Sequence, residues 1–88
     1  MPEISRFYGI VVTMNLDDHP PPHFHARYGR QEIFVEIADA TVTGTFPPRK
    51  LKYVRRWWSL HREELMLNWR LREQDLQPRY IEPLEQGC

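Results

Sequence analysis

The chain of 88 residues is poor in cysteine: its single one, Cys88, is the last residue. An internal disulfide is excluded, so stability has to come from packing, and no oxidising compartment is needed. Long apolar runs are also missing. Nothing approaches the roughly 18 consecutive apolar residues of a membrane helix. The opening MPEISRFYGIVV has neither the basic stretch nor the small-residue cleavage site of a signal peptide. A cytoplasmic location with no membrane partner is therefore expected. There is no internal repeat and no low-complexity stretch.

Net charge is absent too, but only as a total. Residues 1–48 carry three arginines against six acids, residues 49–73 carry eight Lys/Arg against three Glu, and residues 74–88 carry one Arg against three acids. The local excess of +5 over 49–73 says more about partners than the zero sum. Hydrophobic residues at 41% and charged residues at 27% are ordinary for a globular protein, and the length fits one modest core. The expectation is a single domain over 1–88, with a core at 4–74 and a tail at 75–88.

Phe7 to Asn15 is β-branched and aromatic and reads as a strand, with Tyr8, Ile10, Val12 and Met14 on one face and Gly9 as a candidate bulge. LDDHPPP reads as a loop, because three consecutive prolines force extended backbone. HFHARY and QEIFVEI alternate in polarity on either side of Gly29–Arg30, a two-residue type II′ turn. That turn sets a register: His23 opposite Glu36, His25 opposite Phe34, Arg27 opposite Glu32. Phe24, Ala26, Ile33 and Val35 then share an apolar face. His23, His25, Arg27, Glu32, Phe34 and Glu36 share the other. DATVTGTF offers a short fourth strand.

Residues 49–74 contain no glycine or proline and read as one long helix. The expected fold is α+β: a small antiparallel meander of three to four strands with that C-terminal helix packed on it. At about 100° per residue the helix has a very wide apolar arc whose middle is polar. His61, Glu64 and Asn68 lie in that middle and form a predicted buried polar cluster, since stranded polar groups are costly. Tyr80, Ile81 and Leu84 are placed to tack the tail onto the core.

Three of the four histidines lie in HPPPHFH, residues 19–25. Three readings of them stand open. A His-x-His pair on a strand puts two imidazoles on one face, and Asp17, Asp18, His19 or Glu36 can complete a metal shell. No third ligand has a clear spacing, however, and neither metal nor cofactor is expected. Alternatively, His23, His25 and Arg27, with His61, are candidate catalytic residues for metal-free RNA cleavage through the 2′-hydroxyl. The third reading is a solvated polar face. Arg49, Lys50, Lys52, Arg55 and Arg56, with aromatics interleaved, form a candidate RNA-binding patch.

ISRFYGIVV, PPHFHARYG and LHREELMLNW followed by IEPL together resemble the bacterial family called domain of unknown function 4160. The resemblance runs from Ile4 to Leu84. Its motif positions here are Pro21, Pro22, His23, Phe24, His25, Ala26, Tyr28, Gly29, His61, Glu64, Asn68 and Trp69. It brings no catalytic residues. It implies a small protein encoded beside a member of domain of unknown function 2442, in a toxin–antitoxin-like two-gene module. The leading expectation is a component of such a module that binds or cleaves RNA, with the adjacent gene's product as partner. The alternatives are a non-catalytic protein-interaction module and a small metal-binding protein using the His-x-His pair.

Overall fold

The computed structural model describes residues 3–85; Cys88 lies outside the described residues. Five antiparallel strands form one sheet in sequence order: β1 (Glu3–Phe7), β2 (Ile10–Thr13), β3 (His23–Tyr28), β4 (Gln31–Glu36) and β5 (Val42–Gly44). Two helices follow, α1 (Pro48–Leu60) and α2 (Arg62–Glu73). The α+β meander stands, with two corrections. There are five strands rather than three to four, and two helices rather than one.

The extra strand comes from a turn at Tyr8–Gly9. Both residues have positive φ, 51° and 77°, and Phe7 pairs with Ile10 across them. Positive φ at both central positions marks a type I′ hairpin turn. The first strand thus folds back where a bulge was expected. A Cβ at Gly9 would lie 3.1 Å from the Tyr28 ring, so the position suits glycine twice over. The β3–β4 hairpin has the register read from its turn, with His23 opposite Glu36 and Arg27 opposite Glu32, and Gly29 has φ 61°. Beyond β4, Asp39 closes the turn into β5; hydrogen bonds from the Thr41 side chain and backbone hold its carboxyl below the usual carboxylate range.

The helix breaks at His61, whose φ of −127° leaves helical geometry. A straight helix over 49–74 would be about 39 Å long, whereas five strands span about 19 Å. Bending keeps the second half on the core. His61 becomes the N-cap of α2, Glu63 and Glu64 fall in its first turn, and His61 Nδ1 meets Glu64 Oε1 at 2.6 Å. Acids there complement the positive end of the helix dipole.

The core lies between one sheet face and the helices. Phe7, Ile10, Val12, Phe24, Ala26, Ile33 and Val35 are buried beneath Val54, Trp57, Leu65 and Trp69. Trp57 packs edge-on to Phe24 at 5.6 Å and lies 5.4 Å from Phe7. The predicted polar cluster is not one cluster. Asn68 is 1% exposed and clamps the tail, donating to Arg79 O at 2.8 Å and accepting from Arg79 N at 2.9 Å. His61 and Glu64 are a pair at the rim, and the Glu64 side chain is half exposed. The tail past residue 74 belongs to the core rather than outside it. Pro78, Ile81 and Leu84 are buried, Ile81 N donates to Ile4 O at 2.7 Å, and Trp57 Nε1 donates to Glu82 O at 2.9 Å. Tyr80 stays exposed.

Asn68→Ala is expected to lower stability by about 1–3 kcal/mol, by stranding the Arg79 amide and carbonyl. Phe24→Ala is expected to cost about 3–5 kcal/mol. Equilibrium urea unfolding reads both, and an unchanged midpoint for Asn68→Ala would show that the clamp carries no stability.

Candidate metal centre

Alternation along β3 puts Phe24 and Ala26 in the core and His23, His25 and Arg27 on the opposite sheet face. That face is not simply open to water. The loop between β2 and β3 folds over it and brings Asp18 to the histidines. His25 Nε2 lies 2.9 Å and His23 Nε2 3.5 Å from the same atom, Asp18 Oδ2. The three side chains are only 10–16% exposed.

The far side of each ring fixes its hydrogen. His23 Nδ1 lies 2.9 Å from Pro21 O, a pure acceptor, so Nδ1 carries the proton and donates. His25 has a carboxylate on each side, Glu32 Oε2 3.1 Å from Nδ1 and Asp18 Oδ2 2.9 Å from Nε2. His23 Nε2 is then left with its lone pair toward Asp18 Oδ2, and His25 Nε2 converges on the same oxygen. A metal ion placed between these groups would engage all three. Metal-bound histidines are held in this way, with the other ring N–H on a carbonyl or carboxylate.

The two Asp18–histidine separations fit an ion. Bonds of about 2.1 Å put neighbouring donors about 3.0 Å apart in octahedral and about 3.4 Å apart in tetrahedral geometry. Here one ligand atom from each of Asp18, His23 and His25 lies within 4.8 Å of the others. The Asn15 amide adds a fourth polar group: its Nδ2 is 3.5 Å from His25 Nε2, and its Oδ1 is buried with no donor among the described residues. Of the four residues that spacing offered to complete a shell, Asp18 is the one that arrives. Asp17 and His19 are exposed, and Glu36, although the register partner of His23, is not among the three residues whose ligand atoms converge.

A residue not foreseen holds the loop. Arg72, near the end of α2, is 7% exposed and lies over Trp69, its Cζ 3.6 Å from the ring centre. Its guanidinium donates to Leu16 O at 2.8 Å and to Asp18 O. Trp69 in turn lies 5.5 Å from the His23 ring. A basic residue in the last turn of a helix reads as dipole complementation or solvated charge, so sequence carried no signal for this clamp.

The other candidate residues are spread out. His61 packs on Trp57 at 5.5 Å, whereas His23 meets Trp69, eight residues further along α2 and about 12 Å away by helix rise. His61 therefore does not join His23, His25 and Arg27. Arg49, Lys52, Arg55 and Arg56 are exposed on α1, which covers the opposite sheet face from the histidines. Lys50 turns inward, donating to Tyr8 O at 3.1 Å with Nζ 4.7 Å from the centre of the Tyr28 ring. It is a structural residue of the Tyr8–Gly9 turn.

Residues 9–70 match the model of the family described as Domain of unknown function (DUF4160). The chain belongs to that family. The match takes in the histidine strand, α1 and most of α2, and stops short of the Arg72 clamp and the tail. No curated protein and no solved structure matches the chain. No helix is long and apolar enough to cross a membrane among the described residues.

Arg72→Leu is expected to lower stability by about 2–4 kcal/mol, through two stranded carbonyls and lost cation–π stacking. Urea unfolding measures it. An unshifted midpoint would show that the loop carrying Asp18 holds without its clamp.

Proposed function

We propose that this DUF4160 protein binds a divalent first-row metal ion through Asp18 Oδ2, His23 Nε2 and His25 Nε2. The observation that carries the reading is the convergence of two imidazole nitrogens on one carboxylate oxygen, with Pro21 O and Glu32 holding the rings from behind. Two imidazoles and a carboxylate suit zinc, cobalt or iron(II), and three protein ligands leave further positions for water or a substrate. A bound ion would supply a Lewis acid and a water of lowered pKa. The protein's own part is to hold the donors: the Pro20–Pro22 run stiffens the approach to His23, and Arg72 secures the loop of Asp18.

The purified chain, without a histidine tag, is expected to bind one zinc or cobalt(II) ion in calorimetric titration, and cobalt to give a visible absorption band. His23→Ala and His25→Ala are expected to abolish stoichiometric binding, and Glu32→Gln to weaken it by about 10–100-fold. Absence of zinc and cobalt binding by the wild-type chain would overturn the reading.

A second reading, binding of RNA, is favoured by α1. Arg49, Lys52, Arg55 and Arg56 are exposed and have no ion pair among the described residues. The first turn of α1 also contains no acid. If about three phosphates of a single strand are contacted, the log of affinity falls against log salt with a slope near about −2. Fluorescence anisotropy with a labelled single-stranded RNA measures it, and a flat salt dependence would remove this reading.

A further inference from the structure

Phe34 stands out on the sheet face that carries the histidines. It is 45% exposed, a large apolar ring where every neighbour on its face is polar. It lies directly opposite His25, edge-on at 4.7 Å, and 5.9 Å from the His23 ring. The half-exposed phenyl ring therefore lies beside the two imidazoles.

Arg27 is the second observation. Its register partner is Glu32, the acid that would ordinarily neutralise it. Glu32 instead turns to His25 Nδ1, and Arg27 has no ion pair among the described residues. Arg27 is exposed and is the diagonal neighbour of Phe34, about 7–8 Å away across the strands. The face thus combines a free guanidinium, an uncovered aromatic ring and a metal-ligand set. A guanidinium and a metal ion both take phosphate oxygens, and an exposed ring takes the flat face of a base.

We propose that this face binds a nucleotide unit, its base stacked on Phe34 and its phosphate held between the Asp18–His23–His25 ion and Arg27. The inference rests on the metal reading and names the ligand class of that site. It concerns the sheet face opposite α1, so the basic residues of that helix play no part in it. The unit can come from a free nucleotide or from a single-stranded RNA; the chemistry recognised is the same.

The test titrates the zinc-loaded chain with inorganic phosphate, adenosine 5′-monophosphate and a four-nucleotide RNA by calorimetry, after zinc binding itself has been measured on the same sample. The monophosphate is expected to bind at least tenfold more tightly than phosphate. Phe34→Ala and Phe34→Leu are expected to erase that difference while keeping zinc affinity and the melting curve, and Phe34→Trp to retain it. Arg27→Gln is expected to weaken phosphate and monophosphate alike, about tenfold. A gain on the RNA that Phe34→Leu erases assigns the unit to a polymer, equal affinity to a free nucleotide, and both support the proposal. Zinc binding with no preference for the monophosphate, or a preference that survives Phe34→Leu, overturns the nucleotide proposal and leaves the metal reading standing. No zinc binding overturns both.

Discussion

The alternation of β3 is the constraint on which the rest of the molecule depends. Six residues, His23–Tyr28, supply both the centre of the core and the centre of the polar face. Phe24 must meet Trp57, so His23 and His25 must turn the other way. Neither set can move by one residue without exchanging core for solvent. The β3–β4 turn and Trp57 therefore fix where the imidazoles point before any loop or ion is considered. Core stability and site geometry are held by one strand, and changes on its two faces are distinguishable because the side chains do not mix.

The second helix joins the two faces. α1 lies wholly on the apolar side, but the bend at His61 sends α2 toward the entrance of β3, where Trp69 meets His23 and Arg72 holds Leu16 and Asp18. A loop alone would leave Asp18 to find the histidines at an entropic cost of about 1–2 kcal/mol for each ordered residue. The arginine clamp and the three prolines offset much of that. The donor set is thus pre-organised by elements from both ends of the chain.

Much of this was legible in the residues. The register of β3 and β4 followed from Gly29–Arg30 and period-two polarity, and with it the two faces. The Tyr8–Gly9 turn was not, because a bulky aromatic rarely takes positive φ and the strand pattern continues through it. The break at His61 carried no glycine or proline; its available sign was the pair Glu63–Glu64, acids that favour a helix start. Asn68 was legible as a polar residue in an apolar arc, but its partner, the backbone of Arg79, was beyond any periodicity. Asp18 stood among four possible ligands, and only the path of the loop distinguishes it. Arg72 had no local signal at all, since its partners are main-chain atoms more than fifty positions away.

The tail changes what the sheet offers to other chains. An open meander ends in two strands with unpaired backbone groups, each a template for a foreign strand. Here Ile81 N bonds to Ile4 O along the outer side of β1, and Leu84 is buried nearby in the same core. At Ile4 that margin is met by the protein's own backbone. The remaining margin, β5, is three residues long and ends at Gly44 with φ 112°. Strand addition is therefore impeded on one side by the tail at Ile4 and on the other by a strand too short and too distorted to propagate, so the segment after α2 shields an edge as well as filling the core.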